Sequence, residues 1–155
     1  MKKVNYHGLS VRRVKRLSFY VNESLVKPET IFQPEFGLQF GFSVDANLLD
    51  FTVDANLIYP DTKESLARTA VQNLYELQDL GQYVANGVIN IPAELITTLV
   101  AMSISHTRAL FAADLSGTKL NDNPLPIVDA EEMARYFFPL MFEKELAAAT
   151  LPRKR

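Results

Sequence analysis

The chain of 155 residues has no cysteine and no tryptophan, and it has only two histidines. Without cysteine it can form no disulfide, no thiolate nucleophile and no zinc–sulfur site. Its formal net charge of −2 is too small to indicate nucleic acid or a membrane surface as a partner. No uninterrupted apolar run reaches the roughly 18 residues of a membrane span, so we also expect no membrane insertion.

Residue patterns of enzymes and metal sites are absent as well. His7 lies near the N-terminus, and His106 has no second histidine or carboxylate at the helical spacing of a metal pair. The glycines of the segment 36–41 fall in a strand pattern and not in a strand-to-helix turn, so they form no phosphate loop. We therefore expect no catalytic residue, no metal and no cofactor.

The length fits one domain with a substantial core, since a chain of this size buries about 70% of its unfolded surface. The composition, with 48% hydrophobic and 22% charged residues, is ordinary for a globular protein. We predict a flexible N-terminus over 1–10, a single domain over 11–146 and a basic tail over 147–155. Lys2 and Lys3 are followed by no apolar segment, which indicates no secretory signal and a cytoplasmic location.

Alternation of apolar and polar residues predicts four strands. In 36–46 the apolar side chains take one face, and glycine, glutamine and serine take the other. The segments 51–59 and 66–77 repeat this pattern, and the charged segment 11–21 is predicted as an edge strand. Short connections between these segments predict one antiparallel sheet.

Two helices are predicted after the sheet. Pro92 is well placed as the first residue of a long helix that runs to about Ala113. Asp129 is predicted to cap a second helix that runs to about Leu146 and is bent or broken at Pro139. The predicted fold class is α+β, a four-stranded antiparallel sheet followed by a long helix and a C-terminal helix on one face.

The long helix is apolar on two sides, and both sides need cover. One side can lie on the sheet, and a second copy of the chain can cover the other. We therefore predict a dimer or a dimer of dimers whose interface is formed by Ile96, Val100, Ile104, Thr107 and Phe111.

The ten phenylalanines and six tyrosines are the most conspicuous material of the sequence. Most of them must lie in the core, but an open sheet with two helices can leave a strip uncovered. Such a strip beside a sheet edge is suited to bind extended, non-native polypeptide. The predicted polypeptide-binding residues are Phe36, Phe40, Phe42, Phe51, Tyr75, Leu77, Tyr83 and Phe137.

Over roughly residues 11–138 the sequence resembles the SecB family of protein-export chaperones. The segment Val14-Lys-Arg-Leu-Ser-Phe19 is similar to the family's first strand, and Phe32-Gln-Pro-Glu-Phe36 to the approach to its second strand. The strongest similarity runs from Ser105-His-Thr-Arg108, through the loop at Gly117, to Asn123-Pro-Leu-Pro-Ile-Val-Asp129 and Tyr136-Phe137. The order and spacing of these segments carry the resemblance.

The resemblance implies an ATP-independent holdase that binds unfolded polypeptide, as in protein export, and a dimer of dimers packed through the long helix. The family's first strand has acidic residues that dock on the ATPase SecA, whereas this chain has Arg16 and Tyr20 there. SecA is therefore a doubtful partner. The alternative is an interaction or scaffold subunit with the SecB fold that serves one folded or antitoxin-like partner.

Overall fold

Four strands form a single antiparallel sheet in the computed structural model, which describes residues 8–27, 31–122 and 125–143. The strands are β1 (Leu9–Val21), β2 (Gln33–Ser43), β3 (Leu48–Ile58) and β4 (Ser65–Leu77), and their order across the sheet is β1-β4-β3-β2. This confirms the predicted α+β class and four-stranded sheet. His7, most of the predicted flexible N-terminus, the Asn123-Pro124 step and the basic tail lie outside the described residues.

The two faces of the sheet differ in chemistry, as the alternation predicts. From Leu49 to Leu57 in β3 and from Ala67 to Leu77 in β4 the odd-numbered residues are buried, whereas the even-numbered residues between them are mostly polar and reach solvent. On the open face, Arg68 donates to Asp54 at 2.9 Å, and the Gln72 amide donates to Asp50 at 2.6 Å. This face is a network of paired polar groups, which solvent covers at little cost.

The two edge strands are built differently. β1, which is confirmed as an edge strand, shifts register against β4 between Val11 and Arg13 and again between Arg16 and Ser18. β2 pairs with β3 without a shift along its whole length. Register shifts of this kind are β-bulges, which bend and twist a strand locally.

The long helix α1 (Ala93–Leu115) begins one residue later than predicted. Pro92 has an extended backbone, with φ −53° and ψ 139°, and its carbonyl accepts from the backbone N–H of Leu95 and of Ile96 at 3.0 Å. Pro92 therefore takes the position that caps the helix rather than the first helical position. The helix packs on β3 and β4, less on β1, and also on the second helix of the chain.

The second helix, α2 (Ala130–Phe137), is interrupted where the sequence predicts. Phe138 leaves the helical region, with φ −128° and ψ 54°, because the ring of Pro139 crowds a helical residue before it. Residues 139–143 then form a further short helical segment. The predicted helix end near Leu146 lies outside the described part of the chain.

A small hairpin between the sheet and α1 was not predicted. It consists of β5 (Val84–Ala85) and β6 (Val88–Ile89), which are joined by Asn86 and Gly87. Both turn residues have positive φ, 53° and 74°, as a type I′ turn requires. The Asn-Gly pair was the available sequence signal, since it is the commonest choice for such a turn.

Two buried polar contacts join α1 to β4. Ser103 Oγ donates to the carbonyl of Leu99 at 2.7 Å, so the hydroxyl of Tyr75 donates to Ser103 Oγ, also at 2.7 Å. Burial raises the pKa of Tyr75 to about 12, which keeps this hydroxyl a donor at every physiological pH. The second contact joins His106 Nδ1 to Asn73 Oδ1 at 2.9 Å.

The helix stripe that we predicted as the oligomer interface faces the sheet of the same chain. Its five members are at most 3% exposed, and Phe111 also packs edge-on against Phe19 of β1. Ile96, Val100, Ile104, Thr107 and Phe111 thus contribute to the core, and the prediction that they form the oligomer interface is corrected. Leu95 and Leu99, on the other apolar side of the helix, are buried as well. Both stripes are largely apolar, and the one with the larger aliphatic and aromatic side chains gains more from burial on the sheet.

The cap of α2 leads to a first prediction. Asp129 Oδ1 accepts from the backbone N–H of Glu131 at 2.9 Å and of Glu132 at 3.0 Å. Asp129→Ala removes both acceptor bonds and should lower the free energy of unfolding by about 0.5–2 kcal/mol. Denaturant titration measures this loss. Asp129→Asn, which keeps a capping oxygen, should stay close to the wild type, and equal midpoints for wild type and alanine variant would contradict the cap.

Candidate polypeptide-binding surface

Three of the eight predicted polypeptide-binding residues lie in the core. Phe51 and Tyr75 are fully buried, and Leu77 is 4% exposed. They belong to β3 and β4, the two central strands, which α1 covers. In this conformation none of the three offers a surface to a bound polypeptide, so the prediction that they are exposed is corrected.

Three others lie together on β2, on the face of the sheet that carries the helices. Phe36 and Phe40 are half-buried, and Phe42 is 38% exposed. The ring of Phe40 packs on Phe51 at 5.0 Å and on Phe138 at 5.3 Å between centroids. The phenylalanines of β2 are therefore covered where they face the neighbouring strand and the end of α2, and partly exposed at the outer edge of the sheet.

The remaining two are half-buried: Tyr83 directly precedes the small hairpin, and Phe137 is the last residue of α2. Phe137 lines an apolar groove of about 400 Å³. One wall of this groove is β6, and the other is the chain from the end of α2 into the short helical segment. The lining residues are Val88, Ile89, Asn90, Phe137, Phe138, Pro139, Leu140 and Met141.

The interruption of the last helix shapes one wall of the groove. Phe138 points inward, where its ring also lies 5.9 Å from that of Phe51, and Phe142 is 4% exposed. The guanidinium of Arg135 lies 4.6 Å from the centre of the Phe142 ring. These two inward phenylalanines fix the segment 139–143, which leaves Leu140 71% exposed at the rim.

The hairpin supplies the opposite wall. The backbone N–H of Asn90 donates to the carbonyl of Tyr83 at 2.7 Å, which closes the base of the hairpin. The type I′ turn then presents Val88 with 65% of its surface exposed. Two large aliphatic side chains, Val88 and Leu140, thus stand exposed on the two walls of one groove.

Sequence reasoning missed most of this groove. Val88, Ile89 and Leu140 were not predicted as binding residues, because the backbone turns at the hairpin and at Pro139 bring them together without any repeating pattern in the sequence. The signals were the Asn86-Gly87 pair between two apolar residues on each side and the proline inside an apolar helix. Of the eight predicted residues, Phe137 lines this groove, whereas the exposed residues of its rim, Val88 and Leu140, were not predicted.

Polar chemistry contributes little to this surface. Asn90 is the one lining residue with a polar side chain. Among the described residues, no group of three or more His, Asp and Glu side chains is placed to hold a metal ion. The arrangement fits an apolar ligand that is held by contact and excluded water.

The outward side of α1 is a second uncovered surface. Ser105, Ala109 and Ala112 are exposed, and Met102 and His106 are half-buried beside them. By length and composition this helix could cross a membrane. Helices that pack on a sheet in a protein core pass the same test, and α1 buries its opposite side on this sheet.

No family model and no curated protein matches the sequence. Among solved structures, the Mycobacterium tuberculosis SecB-like chaperone Rv1957, in complex with a ChAD peptide from the HigA1 antitoxin, matches with a TM-score of 0.52. The match covers 77% of this chain and 90% of that chain at 12% sequence identity. The chain has the SecB-like fold. The four-stranded sheet, the long helix and the C-terminal helix that the sequence predicts match those of this solved structure.

A second solved structure, of a protein of unknown function from Streptococcus agalactiae, has a TM-score of 0.36. It is 13% identical and covers 77% of this chain and 95% of that chain. The similarity is too low to support any structural argument.

His106 leads to a prediction of pH dependence. The amide of Asn73 donates to the carbonyls of Phe51 and Val71, so its oxygen faces His106 and accepts from Nδ1–H. Burial lowers the pKa of His106 below its usual value of 6.5. The folded state therefore binds a proton less readily than the unfolded state, and stability falls as pH drops below about 6.5.

The check is a series of denaturant titrations from pH 7.5 to 5.5 on the wild type and on His106→Gln. The glutamine variant should lose less free energy of unfolding over this interval than the wild type. Parallel curves for the two proteins would show that His106 has the same proton affinity folded and unfolded.

Proposed function

We propose that the chain is an ATP-independent holdase, which binds non-native polypeptide through its apolar groove and the adjoining phenylalanines of β2. The observation that carries this proposal is the pair of exposed aliphatic residues, Val88 and Leu140, on the rim of an almost purely apolar groove. Exposed apolar patches on folded proteins mark binding surfaces. The groove also adjoins Phe40 through Phe138, which extends the surface toward the sheet edge.

The SecB-like fold supports a chaperone-type role. The solved structure of Rv1957 is a SecB-like chaperone that holds a peptide of an antitoxin. An apolar groove of this size takes only a few side chains, and ordering an unfolded chain costs several kcal/mol. We therefore expect micromolar affinity for one short apolar segment and tighter binding of long chains that reach several sites.

The same neighbour favours a second candidate function. Because Rv1957 binds a peptide of the HigA1 antitoxin, the present chain is also a candidate for a dedicated subunit with one antitoxin-like partner. The two functions differ in the number of different proteins that the chain binds. A holdase suppresses the aggregation of several unrelated unfolded proteins, whereas a dedicated subunit protects one protein.

Export through SecA finds no support on β1. Arg16, which stands where the SecB family has a docking residue, makes an ion pair with Asp114 at the end of α1. Arg12 likewise pairs with Glu76 of β4. These cations stabilise the chain's own structure and give β1 the opposite charge from an acidic docking strand.

Self-association is also part of the proposal. The outward side of α1 carries small, uncharged side chains at 98, 101, 105, 109 and 112, which allow two helices to approach closely. We propose a dimer or a dimer of dimers packed through this side. The observation behind it is that Ser105, Ala109 and Ala112 on this side are small, uncharged and exposed.

The groove can be tested by charge substitution. Leu140→Asp places a carboxylate at the exposed rim, where it costs the fold little but must be desolvated when an apolar segment binds. We expect about tenfold or greater weakening of binding to a labelled, permanently unfolded protein. Ile127→Asp is the matched control, since Ile127 is 85% exposed and does not line the groove.

The same titration separates the candidate functions. Binding of the wild type should be unaffected by ATP and should change little between low and high salt, because the contacts are apolar. Equal affinities of the Leu140→Asp variant and the wild type would remove the groove from the proposal. Tight binding of one folded or antitoxin-like partner, without binding of any unfolded chain, would favour the dedicated subunit.

The assembly can be tested by mass measurement. Ala109→Asp puts a charge on the exposed side of α1 and should convert the assembly to monomers at micromolar concentration by light scattering. Asn121→Asp adds the same charge in an exposed loop and should leave the mass unchanged. Val100 and Ile104 are unsuitable for this test, because both are buried and a carboxylate there would destabilise the fold itself. A monomeric wild type would contradict the proposed assembly.

A further inference from the structure

The turn of the small hairpin contains the one asparagine of the chain that is followed by glycine, in the pair Asn86-Gly87. Both residues are exposed, and a methyl group built on Gly87 would meet nothing within 4 Å. Among the described residues, none forms a hydrogen bond with the side chain of Asn86. The amide of this side chain is therefore held by solvent alone.

The residue after an asparagine controls an intramolecular reaction of its side-chain amide. The backbone nitrogen of the following residue loses its proton and bonds to Cγ of the asparagine, and the side-chain nitrogen leaves as ammonia. Water then opens the resulting cyclic imide at either of its two carbonyls, which gives aspartate or isoaspartate. The reaction uses water alone and involves no oxidation. Glycine has no Cβ to hinder the approach of its nitrogen, so an Asn-Gly pair reacts most readily.

Asn47 has almost the same backbone as Asn86 and lacks the other two features. Its φ is 55°, and that of Asn86 is 53°. The side-chain oxygen of Asn47 accepts from the backbone N–H of Leu80 at 3.2 Å, and the bulky Leu48 follows it. The left-handed backbone therefore does not distinguish Asn86, whereas the unbonded amide and the following glycine do.

The hairpin is small enough to open and let the reaction proceed. Closure of the imide ring needs a backbone conformation of Asn86 that differs from that of a type I′ turn. Only two residue pairs join the strands of the hairpin, Val84 with Ile89 and Ala85 with Val88. Hairpins of this size are marginally stable, and elements with few bonds open locally more often than the core does. The reaction thus requires opening of the hairpin and not unfolding of the domain.

Either product changes the wall of the groove that the hairpin forms. Aspartate adds a negative charge close to Val88, which lines the groove and is 65% exposed. Isoaspartate also lengthens the main chain by one carbon atom, because the chain then runs through Cβ and Cγ. A type I′ turn fits its flanking strands only with two residues of ordinary length. Isoaspartate at position 86 therefore displaces Val88 as well as charging its surroundings.

We propose that Asn86 is a site of spontaneous deamidation, and that its conversion to aspartate and isoaspartate weakens the binding of apolar polypeptide at the groove. The effect on binding rests on the proposed holdase function, whereas the reaction itself depends only on the turn. Each molecule then loses affinity for polypeptide with age, at a rate that the opening of the hairpin sets.

The reaction is tested by incubation of the full chain at neutral and at mildly alkaline pH, with mass spectrometry of its peptides. Asn86 should convert about tenfold faster than Asn47, because Asn47 has a bulky following residue and a hydrogen bond on its amide. Conversion should be faster at the higher pH, since the attacking nitrogen must lose its proton. Electron-based fragmentation separates isoaspartate from aspartate. Conversion of Asn86 no faster than that of Asn47 would overturn the proposed site.

The effect on the groove is tested with Asn86→Gly as the matched variant, because a Gly-Gly pair keeps the type I′ turn and cannot form the imide. Titration with the labelled, permanently unfolded protein compares fresh and incubated samples. Converted wild type should bind about tenfold more weakly than fresh wild type, because the new carboxylate must be desolvated. The Asn86→Gly variant should bind equally before and after incubation.

Two other outcomes separate the parts of the inference. Complete conversion of Asn86 without loss of affinity would overturn the effect on the groove. If fresh wild type binds no unfolded chain, the proposed function falls and the effect on binding falls with it. The mass measurement still decides whether Asn86 deamidates, because it requires no bound polypeptide.

Discussion

The packing of one helix on a four-stranded sheet is the constraint on which the rest of the structure depends. α1 lies on β3, β4 and β1 and also contacts α2, and its inward side chains are almost fully buried. Burial of large aliphatic side chains stabilises a domain by about 1.5–3 kcal/mol each. The two hydrogen-bonded contacts of Tyr75 and His106 fix where along β4 the helix sits. With the helix in that place, the inner face of β2 has to be covered by something else.

Few side chains cover the inner face of β2, and this incomplete covering leaves the candidate groove open. A few aromatic rings from the end of the chain reach β2, above all Phe138, which the break before Pro139 turns inward. The same break leaves Leu140 exposed beside the small hairpin. The groove is thus a part of the core that remains uncovered. Phe138 and Pro139 line it, and the same two residues end α2 before the helix can cover it.

How much of this the sequence predicts depends on whether a feature is periodic. The strands and α1 were predicted to within about three residues at each end, because a buried face imposes a period that the sequence must follow. The cap at Asp129 and the break at Pro139 were predicted because single residue types determine them. The five residues of α1 that were predicted as the oligomer interface lie in the core, because both sides of the helix are apolar and only the packing of the folded chain decides which side chains are covered. The groove was missed because its walls come from a turn and a helix break, which leave no repeating pattern.

The two edges of the sheet differ in more than the exposure of their apolar side chains. Leu17 in a bulge of β1 is 51% exposed and Val11 is 44% exposed, so β1 is at least as apolar at its surface as Phe42 makes β2. Yet β1 twists at two bulges and carries cations, of which Arg12 and Arg16 are held by ion pairs with β4 and α1. A strand that meets β1 finds an irregular backbone and charges that it must desolvate. β2 has Pro34 and Glu35 at its start but a regular backbone and uncharged side chains from Phe36 to Ser43, so the difference between the two edges lies in what pairing would cost.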